Sequence, residues 1–185
     1  DRKQNFDASM KVHGMFGRMS DLVAKLQAVR GGVDAIGGKL PQDDPLRLQM
    51  GALSERADAM RKQIVATKEG GAITGEERLR EFMDGLYGGL IGYEGKPADT
   101  LIAYTGVLDR QLGALENDFT ALRDGDLAKA NASLKAKGLP EIAIPDKAPL
   151  AYIIRTLGHP QLATVIAGVA VLAMPTVLLA FLYGQ

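Results

Sequence analysis

Apolar residues recur along most of the chain at alternating steps of three and four positions, which is the spacing of one face of an α-helix. The first series predicts a helix from about Ala8 to Val33. Gly31 and Gly32 are expected to end it, because glycine lowers helix stability. Its apolar positions form a heptad seam that we expect to be buried, and they are Val12, Met15, Met19, Leu22, Leu26, Val29 and Val33.

Start signals divide the following stretch into further helices. Asp44 is a predicted N-cap, and Pro45 suits the first helical position of a second helix that extends to about Thr67. Thr74 and Glu77 have the spacing of a capping box, which predicts the start of a third helix.

A fourth helix is predicted from about Pro97 to Arg123, closed by Gly125, with a short helix after it. Each helix has one apolar stripe, and the stripes of the other helices are the surfaces available to bury it. The predicted fold is therefore all-α, with residues 1–141 forming an antiparallel four-helix bundle. Its predicted core includes Leu53, Met60, Leu108, Leu115 and Phe119.

The C-terminal part of the chain has a different composition. Residues 142–160 contain prolines and are predicted to be a linker and interfacial segment. Residues 161–183 are 23 consecutive positions without a charge, and as a helix they would span about 35 Å. A bilayer core is about 30 Å thick, so we predict one C-terminal transmembrane helix here.

Small residues in this span favour packing against another helix, since close approach drives helix association in lipid. The predicted packing positions are Ala163, Ala167, Gly168, Ala170, Ala173 and Pro175. Pro175 can free a backbone carbonyl, which is tolerated best beside a neighbouring protein. Just before the span, His159 is a candidate contact for a pigment or a lipid headgroup, although an interfacial polar residue fits the same position.

Composition excludes several function classes. Lys and Arg number 22, as do Asp and Glu, so the chain lacks the basic excess of a nucleic-acid binder. The absence of cysteine excludes disulfides and thiolate metal sites. Asp109, Glu116 and Asp118 are spread around one helix rather than facing one cleft, so we expect no acid–base pair. We therefore expect a non-enzymatic protein without a cofactor or a metal.

The stretch 85–142, GLYGGLIGYEGKPADTLIAYTGVLDRQLGALENDFTALRDGDLAKANASLKAKGLPEI, is similar to part of a known family. Its small-residue turn with Lys before Pro, its Leu-rich helix and its closing GLPEI resemble the C-terminal helical domain of bacterial sialidase/sortilin-type β-propeller proteins. The resemblance implies an exported helical domain. It carries no hydrolase chemistry over to this chain, because that would belong to the propeller.

These observations favour a single-span structural or accessory subunit that stabilises a multi-subunit membrane complex in the bacterial inner membrane. Its expected partners are integral membrane subunits and the lipid bilayer, and the complex we consider is a photosynthetic reaction centre with its light-harvesting antenna. The bundle is expected in the periplasm, with Asp1 following a removed signal or domain. Two alternatives stay open: a membrane-tethered periplasmic binding module, and the processed tail of a larger propeller protein.

Overall fold

The structure is a computed structural model that describes residues 2–67 and 75–145. It contains α1 (Arg2–Gly37), α2 (Pro45–Ile64), α3 (Leu79–Ile91), α4 (Asp99–Ala121) and α5 (Ala128–Ala136). These two ranges hold no strand, so the predicted all-α class with four main helices is confirmed. Within them, no helix combines the length and the apolar character that a membrane crossing requires. The predicted span 161–183 and the linker beyond Pro145 lie outside the described residues.

The predicted seams are the core of the molecule. All seven seam positions of α1 are buried, and so are the five core residues predicted on α2 and α4. Periodicity alone is enough to find these positions, because each stripe must face other helices to leave water. Burial of this apolar surface is the main favourable contribution to folding.

The start of α2 is confirmed as predicted. The Oδ1 atom of Asp44 accepts a hydrogen bond from the backbone N–H of Leu46 at 2.9 Å, and Pro45 occupies the first turn. The second carboxylate oxygen of Asp44 pairs with Lys137, beyond the end of α5, at 2.7 Å. The N-cap thus also joins the start of α2 to the end of α5.

The helices do not lie side by side as four antiparallel rods. α1 is 36 residues long, about 54 Å, and α2 and α3 lie one after the other along it. Arg30 pairs with Asp58 of α2 at 3.0 Å, whereas Asn5, near the other end of α1, donates to the carbonyl of Leu90 at the end of α3. Both short helices therefore run opposite to α1, and together they match its length.

The direction of α4 completes this arrangement. Lys11 pairs with Asp109 and Arg18 with Glu116, so α4 runs parallel to α1. The described part of the chain is thus an up-down-up bundle whose middle rod is divided into α2 and α3. The predicted antiparallel packing differs because periodicity shows which face of a helix is buried but not which neighbour covers it.

Two of the predicted helix ends are wrong because the glycines there do not stop a helix. α1 continues through Gly31 and Gly32 to Gly37. A Cβ at Gly32 would lie 2.6 Å from Cγ2 of Ile142, so this glycine permits close packing instead. α4 continues past Gly125 through a π-helical turn, Leu122–Leu127, directly into α5.

The π turn has a simple origin in the spacing of the seam. Leu122 and Leu127 are both buried, although they are five positions apart instead of three or four. The i→i+5 hydrogen bonding of a π turn accommodates the extra residue, so both leucines face the core.

The start of α3 also differs from the prediction. The helix begins at Leu79, so Glu77 lies before it, and Thr74 is outside the described residues. The carboxylate of Glu81 instead accepts from the backbone N–H of Arg78 at 2.9 Å. The acidic residue that serves the helix start is therefore Glu81, four positions after the predicted one.

After α5 the chain turns back along the bundle. Gly138 adopts a φ of 69°, the left-handed conformation that glycine tolerates at a helix end. The side-chain amide of Asn131 then donates to the carbonyl of Ile142 at 3.1 Å and accepts from its N–H at 2.8 Å. These two bonds and the contact with Gly32 hold the segment Leu139–Ile144 against α1 and α5.

Candidate functional site

The residues proposed from the sequence as functional belong to the C-terminal segment. His159 and the packing positions Ala163, Ala167, Gly168, Ala170, Ala173 and Pro175 all lie outside the described residues. The candidates that the structure does describe are clusters of charge and one groove on the helical unit.

One cluster of charged side chains joins α1 to α4. The guanidinium of Arg18 contacts Oδ1 of Asp109 at 2.7 Å and donates two hydrogen bonds to Glu116, at 3.0 and 2.6 Å. Lys11 adds a contact to Asp109 at 3.0 Å. Hydrogen bonds from Arg18 and then Lys11 lower the pKa of Asp109 below its ordinary value, and the two carboxylates raise the pKa of Arg18.

This geometry joins α1 to α4 through paired charges. Both carboxylates are held by cations, so Asp109 stays ionised and lacks the raised pKa that a general acid needs. Asp118, the third carboxylate of this helix, lies in a groove on another side. The prediction that the three carboxylates are spread around the helix therefore holds for Asp118, whereas Asp109 and Glu116 lie together on one face and share Arg18.

Replacing Arg18 with Met is expected to make the free energy of unfolding fall less steeply as the pH is lowered. The folded pKa of Asp109 is lowered, so its pairing stabilises the fold above the unfolded pKa near 4, and this contribution is lost as the pH falls through the folded pKa. Chemical denaturation between about pH 5 and 2 measures it. At neutral pH the loss is about 1 kcal/mol or less, since the pair is partly exposed.

Arg2→Met is the matched control for Arg18→Met. Arg2 is also on α1, but its only described contact is a 3.7 Å pair with Glu94, and both side chains are exposed. The free energy of unfolding of Arg2→Met should depend on pH in the same way as that of the unchanged protein. If Arg18→Met shows the same acid slope as Arg2→Met, the cluster does not contribute to pH-dependent stability.

A second cluster is centred on Asp58 of α2. Its carboxylate contacts Lys62 at 2.8 Å, Arg61 at 2.9 Å and Arg30 of α1 at 3.0 Å. Hydrogen bonding from Lys62 is the largest cause of a lowered pKa for Asp58. Arg61 and Lys62 lie on α2 with Asp58, so it is the pair with Arg30 that links α1 to α2 in this cluster.

Glu76 fixes the chain on either side of the segment between α2 and α3. Its Oε2 accepts from the backbone N–H and from the hydroxyl of Thr67, each at 3.0 Å, and its Oε1 pairs with Arg78. The Thr67 bonds lower the pKa of Glu76 to about 2. This carboxylate is therefore an anchor for the chain and is ionised at neutral pH.

The described residues also form a groove of about 370 Å³ where α2 ends, α3 begins and α4 passes. It is lined by apolar and polar side chains together, and the polar ones are Gln63, Glu77, Arg78, Gln111 and Asp118. Such a mixture suits a small polar ligand better than an apolar one. No sequence pattern predicts this groove, because the residues that line it come from three separate segments.

The Asn131–Ala132–Ser133 sequence fits a glycosylation sequon, but the side chain of Asn131 is already hydrogen-bonded within the protein. Both ends of the Asn131 amide are bonded to the backbone of Ile142. A glycan on this nitrogen would displace a bond that holds the returning segment. Asn131 therefore has a structural role in holding the returning segment.

Within residues 2–67 and 75–145, no group of three or more His, Cys, Asp or Glu side chains is placed to hold a metal ion. His13, the histidine of this part of the chain, is exposed on α1. In comparisons with known proteins, no family model, curated protein or solved structure matches this chain.

Proposed function

We propose that this protein is a non-enzymatic, single-span accessory subunit that stabilises a multi-subunit complex in the bacterial inner membrane. In this proposal the helical unit lies in the periplasm and contacts extramembrane parts of its partners. The complex that we put forward is a photosynthetic reaction centre with its light-harvesting antenna. Single-span subunits of this kind add contacts rather than chemistry.

The observation that carries the proposal is the charge-free stretch 161–183. Arg155 is the last charged residue of the chain, and the 23 residues of the stretch suffice to cross a bilayer as a helix. A stretch of this length without a charge is unusual in a water-soluble domain, where helices need a polar face.

The pattern of small residues within the stretch supports a partner inside the membrane. At about 100° per residue, Ala163, Ala167, Ala170 and Ala173 would share one side of a helix. Association of helices in lipid depends on close packing, which small residues permit. A mere anchor would not need its small residues gathered on one side.

The described charges support the absence of catalysis in this proposal. Each carboxylate with a shifted pKa has a lowered one, and each is engaged by a cation or by backbone and hydroxyl groups. A catalytic acid at neutral pH needs a raised pKa. The helical unit is thus better suited to rigid binding than to proton transfer.

Purification from membranes in mild detergent tests the proposal. The full chain is expected to co-purify with integral membrane proteins identifiable by mass spectrometry, and loss of residues 161–185 should abolish this. A pigment spectrum in the purified complex would identify a photosynthetic assembly. If the truncated chain retains every partner, the segment is not what joins the complex.

Substitutions within the span distinguish packing from simple anchoring. Ala163→Leu with Ala167→Leu enlarges the small-residue side and should release the partners while membrane attachment persists. Val165→Leu with Val169→Leu is the matched control, since it adds methylene groups on other sides of the same helix. Equal partner recovery for both variants would contradict a role for the small-residue side.

The periplasmic location rests on opposing signals. Lys147 and Arg155 precede the span, and positive charge on that side by itself favours a cytoplasmic helical unit. Two positive charges are outweighed when a signal peptide directs export, because long domains then cross regardless of charge. Protease added to intact spheroplasts should digest the helical unit, and full protection would reject this orientation.

The groove beside Arg78 favours a second candidate, a membrane-tethered periplasmic module that binds a small polar ligand. Such a module would purify alone and gain thermal stability from its ligand.

The resemblance of residues 85–142 to the propeller-associated helical domain supports a third candidate, the processed tail of a longer protein. The start codon of the gene distinguishes this last candidate from the other two.

A further inference from the structure

The N-terminal half of α1 has an apolar side that faces away from the other described helices. The side chain of Phe6 is 64% exposed and that of Met10 is 50% exposed. Gly14 and Gly17 are exposed as well. At 3.6 residues per turn these four residues lie on the side of α1 opposite its buried seam. We call them the outer face of α1.

Nothing in the described residues requires the two glycines of this face. A Cβ at Gly14 or at Gly17 would have no heavy atom of another described element within 4 Å. Glycine weakens a helix relative to alanine, so the pair lowers the stability of α1 without an internal benefit. What the two glycines provide is open space above the backbone of α1.

We propose that the outer face of α1 binds the same face of a second copy of this chain, as an antiparallel helix pair. The two-fold axis crosses the outer face at the level of Val12 along the helix. Met10 then lies over the partner's Gly14, and Phe6 lies over the partner's Gly17. A two-fold axis makes each contact twice, so two large side chains fill two glycine gaps from each side. The outer face is thus complementary to itself.

Charge supports the same register independently. The register that fills the gaps also brings Lys3 opposite the partner's Asp21. Lys3 is largely exposed and contacts Asp7 on its own helix, while Asp21 is partly exposed in a groove that Arg18 and Lys25 also line, and forms no ion pair among the described residues. A parallel pair would instead set Lys3 against Lys3 and Asp21 against Asp21, with Met10 against Met10. Charge and shape therefore both favour the antiparallel pair.

The contact extends from Lys3 to Asp21, about 27 Å of helix. A single helix pair of this length buries less than the roughly 1,000 Å² expected of a stable interface, so the dimer is weak in dilute solution. It does not depend on the membrane proposal, although two chains in one membrane would meet at a higher effective concentration.

Cysteine cross-linking tests the register, because the unchanged chain has no cysteine. Full-length Met10→Cys and Gly14→Cys variants, each with its own tag, are mixed in mild detergent and oxidised. Disulfides need Cα atoms about 4.4–6.8 Å apart, so the mixed pair should form severalfold more than Met10→Cys with itself. Gly51 is exposed on α2 with open space above it. The disulfide yield of Gly51→Cys mixed with Met10→Cys therefore measures the background of random collisions.

The proposal is overturned if the Met10→Cys and Gly14→Cys pair yields no more disulfide than the Met10→Cys and Gly51→Cys pair. It is also overturned if Met10→Cys cross-links mainly to itself, because a parallel helix pair would give that result. A charge exchange then tests the contact itself. Lys3→Glu should lower the mixed yield severalfold, and adding Asp21→Lys should restore it. Lys3 is exposed and Asp21 is partly exposed, so both variants are expected to fold, and the thermal unfolding of each is measured beside its yield. A yield that the second substitution does not restore also overturns the proposed register.

Discussion

Replacing Leu115 with Ala is expected to lower the free energy of unfolding by about 2–5 kcal/mol, the usual cost of truncating a buried leucine. Leu115 lies in the seam of α4, where its side chain is 6% exposed and belongs to the continuous core. The substitution removes apolar surface from the core and leaves a cavity that the surrounding helices fill only in part. Urea denaturation followed by circular dichroism measures the change.

Leu48→Ala is the matched control for this substitution. Leu48 lies on α2 but is 73% exposed, so the same chemical change removes little buried surface. Its effect should stay within about 0.5 kcal/mol, as for ordinary surface positions. A Leu115→Ala loss as small as this would mean that the seam of α4 does not face the core.

Substituting the neighbouring glycines of α1 is expected to give effects of opposite sign. Gly31→Ala should stabilise the protein by about 0.5–1 kcal/mol, since alanine favours a helix and its Cβ would meet nothing within 4 Å. Gly32→Ala gains the same preference but sets a Cβ 2.6 Å from Cγ2 of Ile142. Overpacking costs about 1–3 kcal/mol, so we expect a net loss.

The reason for the loss at Gly32 can be tested in a double-mutant cycle. Ile142 cannot move aside easily, because its branched side chain is stiff and Asn131 holds its backbone. Ile142→Ala should therefore remove the penalty of Gly32→Ala, and the two changes should be non-additive. Additive free energies would show that the two residues do not contact each other.

The sequence predicts which residues are buried better than it predicts where the helices end. Steps of three and four identify a helix face, and the Asp44–Pro45 start is encoded in two adjacent residues. Local rules predict that Gly32 and Gly125 break a helix, yet the effect of a glycine depends on what lies opposite it. At Gly32 that is Ile142, far away in the sequence, so no local rule could reveal it.

The ion pairs between helices could not be predicted from the sequence for a similar reason. The contacts of Arg18 with Asp109 and Glu116 join positions about ninety residues apart, and periodicity does not encode such partners. The groove beside Arg78 brings α2, α3 and α4 together, so it exists only after folding. The sequence does restrict the chemistry, because a chain without cysteine and with few histidines offers few ligands for metals.

The π turn between α4 and α5 gives the chain one place that can lose a residue. Deleting Gly125 would shorten the step from Leu122 to Leu127 from five to four, an ordinary step of an α-helix, so the seam would keep its direction on both sides. A deletion at Gly51, where α2 already has steps of three and four, would rotate all later side chains of that helix by about 100°. Tolerated single-residue deletions, natural or engineered, should therefore concentrate at Leu122–Leu127 rather than elsewhere in the described helices.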